Sequence, residues 1–155
     1  MTHRATSLIE RLTNYQDRAL DVASRAEALL AKNDPALASG LAQTRWELLR
    51  ALMPYAAFKH GEMFPVMIDR SRPEQLVAAT QLRQDCLALG EEVKAYVARW
   101  SSVSVPDHWT EYRAASLAIT ARIRAHMARE RRAAEAILQP SADRWVPPAT
   151  SLTAY

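Results

Sequence analysis

The feature that most constrains the fold is a set of four long segments in which apolar residues recur every three or four positions. That spacing places them on one face of an α-helix, and such a face has to be buried against another apolar surface. The stripe of the first segment consists of Leu8, Leu12, Tyr15, Ala19, Val22, Ala26 and Leu29, and that of the third consists of Leu82, Cys86, Leu89, Val93, Tyr96 and Trp100. With only 3 glycines and no alternating strand pattern, the composition also favours helix.

Short breaks, most of them containing proline, separate the four segments. The pattern predicts helices over residues 7–31, 36–69, 73–101 and 106–138. Four amphipathic helices with short connections are typical of an all-α, up-down-up-down four-helix bundle. We therefore expect one bundle domain over residues 1–140 and an extended tail over residues 141–155. Pro54 and Pro65 predict a bend or a loosened turn inside the second helix.

The stripe of the second segment predicts which of its polar residues face the core. It consists of Trp46, Leu49, Met53, Ala56, His60, Met63 and Met67. This phase places His60 on the buried face and turns Lys59, one residue earlier, away from it by about 100°.

The polar residues His126 and Glu130 interrupt the stripe of the fourth segment, which consists of Trp109, Tyr112, Ser116, Ile119, Ile123, His126, Glu130, Ala133 and Ile137. Residues four apart are stacked neighbours on a helix, so both side chains reach one point in a bundle core. A His and a carboxylate so placed are suited to hold a metal ion. The alternative interpretation is that both residues lie on the flank of the helix and pair there with an arginine, such as Arg122 or Arg129.

Composition and motifs exclude several classes of function. The single cysteine, Cys86, rules out an internal disulfide framework. The first residues lack the apolar region of a signal peptide, and no stretch approaches the roughly 20 apolar residues of a membrane span, so we expect a cytoplasmic protein without a membrane partner. The net charge is only +3, and the arginines of the fourth segment lack aromatic platforms, so we expect no nucleic-acid partner. No phosphate-binding loop or nucleophile elbow points to an enzyme.

Two stretches, YAAFKHGEMFPVM (55–67) and RIRAHMARERRAAEAIL (122–138), resemble the hemerythrin-like, or HHE cation-binding, proteins. The stretches AYVARW (95–100) and PDHWTEYR (106–113) are similar to a subset of bacterial members, and the resemblance covers about residues 6–138. It implies a four-helix bundle that holds a di-iron centre through His and carboxylate ligands. In that family the second and fourth helices usually carry a His, a Glu four residues later, and an aliphatic–aromatic–Pro ending.

The ligand positions of the second helix have changed in this chain. MFP at 63–65 matches the ending, and counting back from it places the His position at Tyr55 and the Glu position at Lys59. The fourth helix keeps His126 and Glu130 in frame. A buried carboxylate without its metal needs a partner. The resemblance therefore suggests that the ammonium of Lys59 faces Glu130 in place of a metal ion.

The first and third helices of the family usually contribute one His each, and neither has one here. The first offers Tyr15 or Gln16, and the third offers Asp85 or Cys86. The implied protein is a hemerythrin-like bundle that has lost most of its di-iron ligands. It would have no cofactor and no catalytic activity, and it would act as a regulatory or protein-interaction module through a protein partner or self-association.

The alternative function keeps a metal. Here the bundle binds iron, as one ion or two, through His60, His126 and Glu130, and it senses oxygen, nitric oxide or redox state as relatives of the family do.

Overall fold

A computed structural model describes residues 3–139, with side chains from residue 5 onward. The long helices are α1 (His3–Ala31), α2 (Ala38–Phe58), α3 (Phe64–Arg70), α4 (Pro73–Ser102) and α5 (Trp109–Leu138). A π-helical turn, Lys59–Met63, links α2 to α3 without a break, so together they form the second of four helices. Single 3-10 turns, Pro35–Leu37 and Pro106–His108, precede α2 and α5. The predicted tail over 141–155 lies outside the described residues.

Contacts between the helices show that neighbours run in opposite directions. Arg11, near the start of α1, pairs with Glu62 at the far end of the second helix. Arg25, near the end of α1, pairs with Glu47, which precedes Glu62 in the second helix. The same reversed order holds for α1 with α5 and for α4 with α5: Glu27 with Arg124, Gln16 with Arg131, Asp85 with Arg129, and Arg99 with Glu111. The predicted all-α, up-down-up-down bundle is confirmed. No helix within residues 3–139 has an apolar stretch long enough to cross a membrane.

The apolar core follows three of the four predicted stripes. In α1, α4 and α5 the buried positions agree with the predicted faces or lie one residue beside them. A second apolar cluster closes one end of the bundle: Leu30, Leu41, Trp100, Val105, Trp109 and Tyr112. Inside it lies a buried cation, Arg45, which donates to the Tyr112 hydroxyl at 3.0 Å and to the Trp100 carbonyl at 3.1 Å. No pattern in the sequence indicates this burial, because periodicity places the neighbouring Trp46 inside and therefore turns Arg45 away from the core.

The predicted phase of the second helix is wrong along α2. Trp46 is 48% exposed and Met53 is 63% exposed, although both belong to the predicted buried stripe. The buried face lies one residue away and consists of Leu41, Thr44, Arg45, Leu48, Tyr55, Phe58 and Lys59. Consequently Lys59 faces the core and His60 is only half-buried, which reverses the predicted orientation of these two residues.

The π turn explains why the prediction fails before residue 60 and succeeds after it. A π turn contains one residue more than an α turn, so it changes the phase of a helix by about 100°. The N–H of Phe64 donates to the carbonyl of Lys59, five residues back, as this geometry requires. Pro65 favours the wide turn, because a proline has no N–H and its ring would clash with the carbonyl of Gly61 in a regular α-helix. The expected loosened turn near Pro65 is thus present, whereas α2 continues through Pro54.

Candidate functional site

Glu130 is the centre of a polar cluster inside the bundle, and its side chain is 0% exposed. Its Oε1 accepts a short hydrogen bond from the Tyr55 hydroxyl and lies 3.5 Å from Nε2 of Gln16. Its Oε2 accepts a hydrogen bond from Nζ of Lys59 at 2.8 Å. The same oxygen lies 3.0 Å from Nε2 of His126. The predicted pairing of Lys59 with Glu130 is present.

Helical spacing brings these side chains to one level. Tyr55 and Lys59 are four residues apart, as are His126 and Glu130, so each pair stacks on the inner face of its helix. Lys59 is the first residue of the π turn, and it still belongs to the phase of α2. The two residues of this segment that face the cluster are therefore those predicted by counting back from the MFP ending, and not those predicted by the apolar stripe.

A second layer of contacts fixes the orientation of Gln16. Its Nε2 donates to the carbonyl of Met127 at 3.0 Å and to the Tyr55 hydroxyl at 3.1 Å. Its Oε1 accepts from Nε and Nη2 of Arg131 at 3.2 and 3.0 Å. These bonds point the amide N–H groups of Gln16 towards Glu130. The role of Arg131 is not predictable from the sequence, since nothing local to this residue indicates a partner in α1.

Aromatic groups enclose the ammonium. Nζ of Lys59 lies 3.9 Å from the centre of the Tyr55 ring, at a distance suited to a cation–π interaction. Tyr15 stacks on Tyr55 with their ring centres 6.0 Å apart, and it also stacks on Phe58 at 5.1 Å. The side chain of Lys59 is only 7% exposed. The charge of Lys59 is thus shielded from water and directed at Glu130.

The contacts inside the cluster shift its acid–base properties. Burial alone would raise the pKa of Glu130, but the contact with His126 and the charge of Lys59 outweigh it and lower the pKa to about 2. Burial opposes the charged form of His126, yet its contacts with Cys86 and Glu130 raise its pKa to about 9. Burial, reinforced by the charge of Glu130, raises the pKa of Tyr55 far above its usual value of 10.0. At neutral pH the carboxylate is ionised, the imidazole is protonated and the phenol is neutral.

The structure distinguishes between the open positions on the first and third helices. Gln16 and Cys86 face the cluster, whereas Tyr15 packs beside it and Asp85 points outward to Arg129 at 2.9 Å. The arginine partners considered for Glu130 lie elsewhere, since Arg129 binds Asp85 and Arg122 forms an ion pair with Glu92.

One subset of the cluster has the composition of a metal site. Single donor atoms of Cys86, His126 and Glu130 all lie within 4.8 Å of one another. Nε2 of His126 is buried and has no hydrogen-bond partner within the described residues, although it lies 3.0 Å from Oε2 of Glu130. His60 is not in this group; its ring packs on Phe64 with their centres 5.1 Å apart.

A pocket of about 430 Å³ opens beside the cluster, between α2 and α4. Lys59, His60, Cys86 and His126 are among its lining residues, and most of the others are apolar. Burial, followed by the charge of Lys59, lowers the pKa of His60, so this rim histidine is neutral at pH 7.

Comparison of the chain with protein-family models, with curated proteins and with solved structures found no match. The hemerythrin-like resemblance accordingly stays a prediction that rests on the short motifs around Tyr55 and His126.

Proposed function

We propose that the protein is a hemerythrin-like bundle in which a metal-free polar network replaces the di-iron centre, and that it acts as a non-catalytic regulatory or protein-interaction module. The observation that carries this proposal is the 2.8 Å hydrogen bond from Nζ of Lys59 to Oε2 of the fully buried Glu130. An ammonium at that point supplies the positive charge that a metal ion would otherwise bring to the carboxylate.

The energetics favour a permanent ion pair over a vacant metal site. A carboxylate buried without a partner costs several kcal/mol, whereas one with a cation and further hydrogen bonds is tolerated. Glu130 has Lys59 as its cation, Tyr55 and Gln16 as donors, and His126 in close contact. Side chains from three of the four helices together satisfy the carboxylate without a ligand from outside the chain.

The donor set does not fit a di-iron centre. Two iron ions with His and carboxylate ligands need several such groups from all four helices. Here α1 presents the amide of Gln16, and α2 presents the phenol of Tyr55, whose raised pKa keeps it protonated. Lys59 adds a cation where the resemblance places a carboxylate. An ammonium at that position repels a metal ion rather than binding it.

Exposed apolar side chains on α2 and α4 support an interaction role. Trp46, Met53 and Leu87 are between 48% and 63% exposed. Aromatic residues and methionine are enriched in protein interfaces. They give the proposed module a surface through which to contact a partner or a second copy of itself.

A second candidate function is the binding of a single metal ion. The proximity of Cys86, His126 and Glu130, within 4.8 Å, favours it, because thiolate, imidazole and carboxylate together suit zinc or one iron ion. Binding requires Lys59 to release Oε2 of Glu130. The predicted third ligand, His60, is oriented elsewhere, although it lines the adjoining pocket.

Restoring the lost ligands tests the proposed origin of the site. In the double variant Tyr55→His with Lys59→Glu, a His and a Glu occupy the positions that the resemblance assigns to them. We expect this variant to bind iron, measured by elemental analysis after anaerobic loading and desalting, while wild-type protein processed in parallel retains well under one ion per chain. The matched control is Asn14→His with Arg18→Glu, which places the same groups, also four residues apart, at two exposed positions of α1 that are not ligand positions.

Two outcomes would count against the proposal. If a folded double variant binds no more iron than the control, the resemblance to a metal site is wrong. If wild-type protein binds one ion and the His126→Ala variant does not, the single-metal function replaces the proposed one. Circular dichroism on each sample establishes that the helices are intact.

A further inference from the structure

The pocket between α2 and α4 has the size and the walls of a small-molecule site. Its volume is about 430 Å³, and ligand pockets usually lie between roughly 300 and 1,000 Å³. The walls are largely apolar, with Leu49, Leu52, Leu89, Val93, Ile123 and Met127 among them. Lys59, Cys86 and His126 line the end that meets the buried cluster, and the exposed pair Glu91 and Lys94, whose side chains are 77% and 71% exposed, lines the pocket on α4. This division into apolar walls and a few polar groups is the usual composition of a ligand site.

Small residues keep this side of the bundle open. Ala56 and Ala57 of α2 and Gly90 of α4 line the pocket where larger side chains would close the seam. A Cβ atom added at Gly90 would meet nothing within 4 Å. At the mouth, Met53 is 63% exposed and Leu87 is 55% exposed, so a ligand would enter between apolar side chains.

The polar end of the pocket has more hydrogen-bond donors than acceptors. Lys59 has three N–H donors. Within the part of the chain that the structure describes, Glu130 is the only oxygen or nitrogen acceptor to which they donate. Both oxygens of Glu130 are already engaged by the cluster. Nε2 of His126 is buried without a hydrogen-bond partner among residues 5–139. A ligand group that only accepts hydrogen bonds would complete this end.

We infer that the pocket binds an apolar molecule that ends in a carboxylate, with the hydrocarbon part between α2 and α4 and the carboxylate directed at Lys59. A carboxylate offers acceptors only and carries the charge opposite to that of an ammonium, so it matches Lys59 better than an alcohol or an amide does. The inference rests on the proposed function in one respect, namely that Lys59 and not a metal ion lies beside Glu130. It names the ligand that such a regulatory module would sense.

Dodecanoate is a suitable probe. Its apolar chain matches the apolar walls, and its single carboxylate matches the polar end at Lys59. Dodecanol is the matched control, since it has the same chain without the carboxylate. Titration calorimetry below the micelle concentration of each probe should show dodecanoate binding roughly tenfold or more tightly than dodecanol, as a hydrogen bond to a charged group predicts.

Filling the pocket tests its location. Gly90→Leu adds a side chain where the pocket is open and removes a helix-destabilising glycine, so the fold should persist. We expect it to weaken dodecanoate binding by roughly tenfold or more. Ala88→Leu is the matched control, because it adds the same side chain to an exposed position of α4 that does not line the pocket, and it should leave the affinity unchanged. Equal affinity in the wild type and Gly90→Leu would overturn the location.

Lys59 is tested in a background that keeps the fold intact. The double variant Lys59→Met with Glu130→Leu removes both buried charges, and it should bind dodecanoate and dodecanol with similar affinity. A retained preference for dodecanoate would show that Lys59 does not receive the carboxylate. Failure of wild-type protein to bind dodecanoate would refute the inference as a whole.

Metal analysis of the same wild-type sample separates this inference from the proposed function. Protein without metal that fails to bind dodecanoate refutes the ligand but not the metal-free cluster. Protein with one ion per chain refutes the proposed function, and with it the role of Lys59 as the receptor for the carboxylate.

Discussion

Breaking the Lys59–Glu130 pair is the perturbation with the largest expected effect on stability. In Lys59→Met the carboxylate of Glu130 stays in place, 0% exposed, and loses the ammonium that donates to it, with the imidazole of His126 as its remaining positively charged neighbour. Removing one partner of a buried ion pair typically costs about 3–5 kcal/mol. Tyr55, Gln16 and His126 continue to contact Glu130, so we expect the lower end, about 3 kcal/mol. For a domain of this size that corresponds to a fall of about 10 °C in the unfolding temperature.

The full double-mutant cycle separates the pair from its parts. Glu130→Leu alone leaves the ammonium of Lys59 buried and should destabilise the fold by a similar amount. The double variant Lys59→Met with Glu130→Leu removes both charges together and should recover much of the loss, because apolar replacement of a buried pair is often neutral. Thermal and urea unfolding, followed by circular dichroism, should give a coupling of more than about 2 kcal/mol.

A surface pair provides the matched control for this cycle. Lys94 and Glu91 lie 3.4 Å apart with side chains that are 71% and 77% exposed, so Lys94→Met and Glu91→Leu should show little coupling. If the changes at Lys59 and Glu130 are as additive as those at the surface, the two groups are not a buried pair, and the reasoning from their geometry fails.

Three further predictions concern other parts of the bundle. The pKa of His126 in the folded state is raised from 6.5 to about 9, so its stabilising contribution is complete below pH 6.5 and is lost as the pH rises to 9. The free energy of unfolding should therefore fall by roughly 1–3 kcal/mol over that pH range. This fall should be absent in His126→Gln. Deleting Gly61 should convert the π turn to an α turn and lower the unfolding temperature only slightly. Deleting Ala57 should lower it far more, because this deletion would rotate the regular helix α2 by about 100° relative to the π turn. Arg45→Met should destabilise the fold by about 2 kcal/mol in urea unfolding, because it leaves the Tyr112 hydroxyl and the Trp100 carbonyl without their donor. The control Arg50→Met, at an exposed position of α2, should be close to neutral.

Periodicity was sufficient to predict the architecture because burial of one face dominates the packing of a long helix. The stripes of α1, α4 and α5 have a constant phase, and their predicted faces are those that the bundle buries. The second helix changes phase at the π turn Lys59–Met63, and a stripe drawn through it mixes two faces. The extra residue follows from backbone geometry around Pro65, which hydrophobic spacing does not record.

The site was accessible to sequence reasoning only in part. The positions of Tyr55, Lys59, His126 and Glu130 follow from the motif frame, and the charges of Lys59 and Glu130 suggest their pairing. The choice of Gln16 over Tyr15 depends on the rotation of α1 against α5, and the contact from Arg131 joins residues 115 positions apart. The pocket depends on the distance between α2 and α4, which no single helix specifies. Such features arise only when the four helices are packed together.

The central claim is that the chain's own ammonium, and not a metal ion, neutralises Glu130. The most direct measurement is the metal content of wild-type protein purified without an affinity tag. It is determined by elemental mass spectrometry before and after the protein is loaded with iron and with zinc. The Lys59–Glu130 hydrogen bond at 2.8 Å predicts well under one ion per chain in every sample. One or two ions per chain that survive desalting, and that disappear in His126→Ala, would contradict it.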